Sequence, residues 1–284
     1  MDKTRYPVVR MSDEFWMLRH CEKRRNIATG FHYHEAVEIY FLIEGRCRFF
    51  IDGSFYELTA GDIAVIPPHL PHKAYYEKDE PVTRYVMNCE LSLLSEKTGG
   101  VLISSDSFVK RLKTAAGEAE ILFKKMKKEY DHPDAFSVEV VKSCLSLLAA
   151  MVCRNPSESE ITPAKSKSRF VDAAIDYLKA NYSGNLSLRD VAEHVSVSYV
   201  HLSRAFKAET GFGPNEFLNL YRLRQAKFML LECPSKSVSQ IAYDCGFNDS
   251  NYFAVKFKRL FGITPTEFRL GKKSDKATLT FFVK

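Results

Sequence analysis

Hydrophobic positions follow two different periods along the chain. From about residue 27 to residue 87, apolar side chains come in short runs, with two of them, at 38–43 and 46–51, rich in Ile, Phe and Tyr. Gly45, Gly53 and Gly61 stand in the turns between such runs. Short strands at this spacing are typical of an antiparallel sandwich or small barrel, so this part of the chain is predicted to be a β domain.

After residue 100 the apolar residues take helical spacing. Two helices are predicted, at 107–130 and 134–153, interrupted at His132 and Pro133. The second helix carries an apolar stripe, consisting of Val138, Val141, Leu145, Leu148, Ala149 and Val152. The stripe either packs on the β domain alone or also contacts a dimer partner, and the sequence leaves both interpretations open. The polar, Ser-rich residues that follow are predicted to form a linker.

The last third of the chain contains one pattern twice. The run from Ser187 to Ala192 recurs from Ser237 to Ala242, at an offset of 50 residues, and the offset becomes 51 further along. A turn tolerates one extra residue, whereas a helix would have its apolar face rotated. Each copy is therefore predicted to be a helix, a tight turn and a second helix. Helices are predicted at 169–181, 188–194, 198–210, 214–231, 238–245, 249–261 and 265–269, with the turns of the two copies at 195–198 and 245–249.

A helix-turn-helix unit places its second helix in the major groove of DNA. Arg204 in the first copy can pair with guanine, and Asn251 in the second can pair with adenine. Ala254 and Val255 offer only apolar contact, so the second copy is expected to discriminate bases less sharply. The predicted DNA-binding residues are Tyr199, Val200, Ser203, Arg204 and Lys207 in the first copy and Ser250, Asn251, Val255 and Lys258 in the second.

These residues carry a resemblance to the DNA-binding domain of AraC/XylS-type transcription regulators, over about residues 169–270. The most diagnostic pattern is Ile241-Ala242-x-x-Cys245-Gly246-Phe247, then Tyr252-Phe253, Phe257-Lys258 and Gly262-Ile263-Thr264-Pro265-x-Glu267-Phe268-Arg269. The family often has a polar pair such as Ser-Arg where this chain has Ala254 and Val255. The resemblance implies a cytoplasmic homodimer that binds double-stranded DNA and a small-molecule effector, with RNA polymerase as a further candidate partner.

A second resemblance, to the two cupin motifs, lies in the β domain. His32, His34, Glu38 and Gly45 match the first motif, and Gly61, Pro67 and His72 match the second. Two interpretations compete: the histidines and Glu38 hold a divalent metal, or they line a metal-free ligand pocket. Because similar regulators commonly sense sugars or other small molecules without a metal, we favour the metal-free pocket and expect no cofactor. The predicted effector-binding residues are His32, His34, Glu38, Tyr40, Arg48, His72 and Arg84, and the alternative metal ligands are His32, His34, Glu38 and His72.

Charge and cysteine usage narrow the class of protein. The net charge is +6, and residues 169–273 hold 15 Lys/Arg against 10 Asp/Glu, so most of the basic excess lies in the repeat half, as in a polyanion binder. Seven cysteines without a C-x-x-C pair indicate reduced thiols in a cytosol. No apolar run reaches the ~20 residues that cross a bilayer, so no membrane partner is expected.

These observations predict an α+β protein of two domains. A cupin-like antiparallel β-barrel that binds the effector is expected at 1–105, with a two-helix dimerisation segment at 106–153. A linker at 154–168 leads to an all-α domain with two helix-turn-helix motifs at 169–270, and a tail at 271–284 forms a short strand or a frayed end. The predicted function is sequence-specific transcription regulation controlled by a small, carbohydrate-like effector. The alternative is a metal-dependent cupin enzyme with a helical appendage.

Overall fold

A computed structural model describes residues 15–22, 32–34, 36–77, 80–90, 93–94, 109–112, 115–154, 163–271 and 281–282. These residues form two compact units that divide between Ala164 and Lys165, and Phe281–Phe282 belongs to the first unit. The division falls inside the predicted linker. No helix in the described ranges is long and apolar enough to cross a membrane.

The first unit contains two five-stranded antiparallel sheets. The first sheet has the strand order β1-β8-β3-β6-β9 and the second has the order β10-β2-β7-β4-β5. The described strands thus form two sheets and not one closed barrel. Their bounds are β1 (Phe15–Glu22), β2 (His32–Tyr33), β3 (Val37–Glu44), β4 (Arg46–Ile51), β5 (Ser54–Thr59), β6 (Asp62–Ile66), β7 (His72–Tyr75), β8 (Val82–Cys89), β9 (Val109–Arg111) and β10 (Phe281–Phe282).

The chain crosses from one sheet to the other at most of its connections, and the exceptions among the described strands are β4 to β5 and β8 to β9. The first tight crossing, from β3 to β4, turns at Gly45, whose φ of +90° favours glycine. A Cβ there would lie 2.4 Å from the carbonyl oxygen of Pro81. β3, β6 and β8 belong to the first sheet, and β4 and β7 belong to the second. Side chains of these five strands therefore meet between the sheets.

The first sheet is covered on both faces. Along β3 every residue from Val37 to Leu42 is buried, since alternate side chains enter two different cores. One core lies between the sheets, and the other is formed with α1 (Ala116–Asp131) and α2 (Ser137–Arg154). In the second core the ring of Phe41 stacks on Phe123 at a centroid distance of 5.0 Å.

The apolar stripe of α2 belongs to this second core. Val141, Leu145, Leu148, Ala149 and Val152 are all buried in the cluster that includes strands of the first sheet. Val138, the first residue of the predicted stripe, is 37% exposed. The rest of the stripe packs on its own β domain, which both interpretations include, and the dimer contact stays a prediction. Three large apolar side chains nearby are more than half exposed: Ile121 on α1, Phe136 just before α2 and Leu147 on α2.

The predicted start of the first helix at residue 107 was wrong. Val109–Arg111 forms β9 beside β6, and the helix begins at Ala116. The buried carboxylate of Asp62 explains the strand, because the Arg111 guanidinium donates to it from Nε at 2.9 Å and from Nη2 at 3.2 Å. This partner is distant in sequence, so helical periodicity alone could not show it.

The second unit is helical, as predicted, and its boundaries agree with the sequence to within one residue. Its helices are α3 (Arg169–Ala180), α4 (Leu188–His194), α5 (Tyr199–Thr210), α6 (Pro214–Glu232), α7 (Val238–Asp244), α8 (Ser250–Phe261) and α9 (Pro265–Arg269). In the tail, β10 pairs with β2 through Phe281 and Tyr33, which confirms a short strand, while residues 272–280 lie outside the described ranges.

Candidate functional site

The two helix-turn-helix units have the same turn, and their difference is one inserted residue. Val197 donates to the carbonyl of Ala192 at 3.0 Å, and Phe247 donates to Ala242 at the same distance. The hydrogen-bonded turns therefore match up to Phe247. Asn248 is the extra residue, because the caps that follow, Ser198 and Asp249, are equivalent.

Capping residues fix where each second helix begins and ends. The Ser198 hydroxyl accepts from the backbone N–H of His201, and the Asp249 carboxylate accepts from Asn251 and Tyr252. Gly211 and Gly262 end the helices at φ values of 80° and 77°, which suit glycine. Local sequence thus determines the length of both helices.

The first recognition helix, α5, separates an inner and an outer face. Leu202 and Phe206 are fully buried, whereas Arg204 and Lys207 are exposed. Tyr199 and Val200 are 48% and 53% exposed, and Ser203 is half-buried at the edge of this face. All five predicted residues therefore lie on or beside one accessible surface that can contact base edges and phosphates.

The second recognition helix, α8, presents a more apolar surface. Asn251 and Lys258 are exposed and Val255 is 67% exposed, while Ser250 is half-buried. Tyr252 and Arg259 are also exposed and were missed from the sequence. Tyr252 lies three residues before Val255 and Arg259 lies four residues after it, so the three side chains are neighbours on one face of the helix. This spacing was the signal that could have identified them.

Arg222 on the connecting helix α6 is a further residue that the sequence did not single out. Its Nε donates to the carbonyl of Tyr182 at 2.7 Å, and its Nη2 donates to Gly184 at 2.8 Å. A Cβ on Gly246 would lie 2.8 Å from Nη2. Arg222 therefore joins the loop between α3 and α4 to the turn of the second copy, and it positions the two copies relative to each other.

In the first unit, four predicted residues converge between the sheets. His32 on β2 pairs in register with His72 on β7, while His34 follows β2 and Glu38 lies on β3. One ligand atom from each of the four residues lies within 4.8 Å of all the others. His34, Glu38 and His72 are buried, and His32 is half-buried.

Backbone carbonyls orient two of the rings. His34 Nδ1 donates to the carbonyl of Ala36 and His72 Nδ1 donates to that of Leu70, both at 2.8 Å. The Nε2 atoms then face Glu38 Oε2, at 3.1 Å from His34 and 3.5 Å from His72. Burial alone would raise the pKa of Glu38, but His72 and His34 together lower it well below its usual range, so the carboxylate is ionised.

A second polar group lies further along the same interior. The Tyr40 hydroxyl is 3.4 Å from both Cys47 Sγ and the Tyr76 hydroxyl, and the Arg84 guanidinium lies over the Tyr76 ring at 4.6 Å. Burial raises the pKa of Tyr40 well above its usual range and that of Cys47 to about 12, so both groups are protonated. Two predicted residues, Tyr40 and Arg84, are therefore brought together.

Arg48 is not brought into this group. On β4 the side chains of Cys47 and Phe49 enter the core between the sheets, so Arg48 points to the other face. There it pairs with Glu57 at 3.2 Å and lies 4.2 Å from the centre of the Phe55 ring. Strand alternation thus separates Arg48 from the other predicted effector-binding residues.

Asn88 was missed from the sequence and lies on the interior face. It pairs in register with Glu38, and it lies on the same face of β8 as Val86 and Arg84. Within the described part of the chain, Asn88 Oδ1 and Arg84 Nε are buried without a hydrogen-bond partner. Native proteins rarely leave buried polar atoms without a hydrogen-bond partner. The signal in the sequence was the spacing, because Asn88 is four residues after Arg84 and both side chains therefore lie on one face of a strand.

Comparison with known protein families matches both units. The model of the AraC-like ligand binding domain matches residues 17–137, and the model of a helix-turn-helix domain matches residues 191–271. The first range ends in the turn that begins α2, and the second covers both copies of the repeat except the first residues of α4.

Similar proteins include two regulators that align over most of the chain. The Msm operon regulatory protein of Streptococcus mutans is 26% identical over 81% of this chain and 83% of its own length. The HTH-type transcriptional activator RhaR of Salmonella dublin is 25% identical over 86% of this chain and 88% of its own. A solved AraC-type transcriptional regulator from Chromobacterium violaceum is 33% identical over 38% of this chain and 95% of its own, with a TM-score of 0.34. With a ligand-binding domain followed by a double helix-turn-helix domain, this chain belongs to the AraC/XylS family of DNA-binding transcription regulators.

Proposed function

We propose that a small, carbohydrate-like molecule binds between the two sheets of the first unit and thereby controls sequence-specific DNA binding by the second. The observation that supports this proposal is a polar interior with unsatisfied atoms, at Arg84 Nε and Asn88 Oδ1. A sugar offers hydroxyl groups that donate to the amide oxygen and accept from the guanidinium. Tyr40 and Tyr76 add aromatic surface beside these groups.

Regulation requires that the effector favour one state of the protein over another. A ligand with equal affinity for the DNA-binding and non-binding states would change nothing, however tightly it bound. We therefore propose that the effector contacts elements of both sheets, since Arg84 and Asn88 lie on β8 while His72 lies on β7. Both matched domains and both full-length relatives are those of regulators, which supports regulation over catalysis.

The test combines DNA selection with effector screening. Full-length protein is first used to select binding sites from random DNA, and the selected site is then titrated with and without a panel of mono- and disaccharides. Arg84→Gln should weaken the response to an active sugar by about 10- to 100-fold, because a charged donor is lost from a buried site. Arg48→Gln is the matched control and should keep the response, since Arg48 lies on the other face of its sheet.

Two results would contradict the proposal. Selection that yields no preferred sequence would remove sequence-specific binding. A response that is lost with Arg48→Gln but kept with Arg84→Gln would place the effector outside the interior.

We also propose that the chain forms a homodimer through the exposed part of its helical pair. Ile121 and Leu147 are 65% and 58% exposed, although the stripe beside them is buried in the domain core. Leu147→Glu should convert the dimer to a monomer in light scattering of the purified protein. Lys142→Glu on the same helix changes an already polar, exposed position and should leave the dimer intact. A dimer that survives Leu147→Glu would place the contact elsewhere.

A further inference from the structure

The cluster of His32, His34, Glu38 and His72 has the geometry of a metal site. His32, His34 and Glu38 lie within seven positions of the sequence, on β2, just after it and on β3, and the fold adds His72 from β7. Three imidazoles and one carboxylate thereby meet in a largely buried place. A cluster of this kind has two explanations, a network of hydrogen bonds or a bound cation.

The hydrogen bonds of the imidazole rings show which nitrogen atoms face the centre of the cluster. A carbonyl oxygen only accepts, so His34 and His72 must each carry their proton on Nδ1. In a neutral imidazole the Nε2 atom then has a lone pair and no hydrogen. Both Nε2 atoms face Glu38 Oε2, so two imidazole nitrogens and a carboxyl oxygen converge on one point, as the ligands of a single ion do.

The centre of the cluster is buried, since His34 and His72 are each 1% exposed. Within the described residues, His72 Nε2 has no hydrogen-bond partner even with Glu38 nearby. A hydrogen-bond network alone therefore leaves the cluster incomplete.

The distances fit a metal ion. Two ligand atoms bound at about 2.1 Å and separated by an angle of roughly 90–110° lie about 3.0–3.4 Å apart. The Nε2 atoms of His34 and His72 lie 3.1 Å and 3.5 Å from Glu38 Oε2. The Nδ1 bonds to Ala36 and Leu70 are also those that fix the tautomer of metal-binding histidines.

We propose that His32, His34, Glu38 and His72 bind one divalent transition-metal ion, with His34 and His72 acting through Nε2. Imidazole nitrogen favours ions such as Zn²⁺, Co²⁺, Ni²⁺ or Fe²⁺ over Mg²⁺ and Ca²⁺. A bound ion would hold the end of β7 against β2 and β3, and it would offer a coordination position to an oxygen of the effector. This assignment replaces the metal-free pocket that the sequence favoured.

The test uses full-length protein without a histidine tag, stripped with a chelator and then titrated with Zn²⁺ and Co²⁺ by calorimetry. One ion should bind per chain, and Co²⁺ should give visible absorption bands of nitrogen and oxygen ligation. His72→Gln should weaken binding by at least about 100-fold. His132→Gln, at an exposed histidine of the same unit, should bind like the unchanged protein.

Each outcome is decisive. Because removal of a buried histidine can impair folding, the Co²⁺ spectrum and the metal-dependent rise in Tm are measured on the unchanged protein, and circular dichroism checks the variants. Absence of stoichiometric binding to the unchanged, folded protein would overturn the assignment, as would binding that a folded His34→Gln/His72→Gln variant retains. None of these measurements needs DNA or an effector, so their failure would leave the proposed regulation untouched.

Discussion

The two helix-turn-helix copies share a framework but differ in their turns and in their outer faces. The turn of the first copy has Ser196 at φ 55°, exposed to solvent, and the turn of the second has Gly246 at φ 82°. Gly246 lies against Tyr182 and Arg222, whereas Ser196 tolerates a side chain. Equivalent positions thus experience different constraints, because the second turn packs on the connecting helix and the loop beside it.

The outer faces of the two copies also differ, and here the first copy carries the additional polar group. The first copy exposes a guanidinium at Arg204, where the second exposes the isopropyl group of Val255. The second copy is therefore more tightly constrained within the protein, and the first is better equipped to read bases. The buried positions of the two copies are thus alike, whereas their turns and outer faces differ.

The largest expected change is a loss of stability of the second unit, caused by Gly246→Ala. An added Cβ would lie 2.5 Å from the carbonyl oxygen of Tyr182 and 2.8 Å from Arg222 Nη2, at a φ that disfavours alanine. The free energy of unfolding of the second unit should fall by about 2–5 kcal/mol, which combines backbone strain with overpacking. Urea denaturation followed by circular dichroism measures this change.

Gly213→Ala is the matched control for that substitution. A Cβ at Gly213 meets no atom within 4 Å, and its backbone is extended at φ −68°. The loss should stay within about 1 kcal/mol, the scale of a weakened helix cap. Equal losses from both variants would show that the packing against Arg222 is not what constrains the second turn.

The second expected effect compares base reading by the two copies. Arg204→Ala should cost about 1–3 kcal/mol on the selected site and relax the preference at one base pair, because a bidentate contact to guanine is lost. Val255→Ala should cost less than about 1 kcal/mol, since only apolar contact with a thymine methyl is reduced. Fluorescence anisotropy on single-base variants of the site distinguishes the two. A larger loss from Val255→Ala would reverse the assigned roles.

A smaller loss of DNA affinity is expected from substitutions at positions where the two copies are alike. Lys207 and Lys258 are equivalent and exposed, and each is assigned to a phosphate. Replacing either with alanine should weaken all DNA sequences alike and reduce the slope of log K against log salt by about 1. Lys142→Ala in the other unit should leave the slope unchanged. A sequence-dependent loss from one lysine would show that it contacts a base.

The sequence predicted best where structure is decided locally. The helices of the second unit begin at caps such as Ser198 and Asp249 and end at Gly211 and Gly262, all within one turn of the residues they cap. Their apolar spacing alone identifies the buried residues. The number of helices in the repeats and the turn that holds the inserted residue could be derived without coordinates, whereas Asn248 itself was identified from the hydrogen bonds of the turns.

Prediction failed where partners are distant along the chain. β9 exists because Arg111 pairs with Asp62, 49 residues earlier, and helical spacing gave no sign of this. Arg48 and Asn88 were misjudged because only strand register shows which side chains face the interior. The cupin motifs identified the histidine cluster, but not the proton positions of its rings, which depend on the carbonyls of Ala36 and Leu70.

The smallest expected change in stability concerns Ser196, in the turn of the first copy. Ser196 occupies a left-handed conformation that costs a residue with a side chain roughly 1–2 kcal/mol, whereas glycine adopts it freely. Glycine also loses more chain entropy on folding, which offsets part of the gain, so Ser196→Gly should stabilise the second unit by about 0.5 kcal/mol. Ser196→Ala should change stability little, because it keeps the Cβ. If Ser196→Gly instead destabilised the unit, the serine hydroxyl and not the backbone would determine this turn, and the two copies would differ more than their hydrogen bonds indicate.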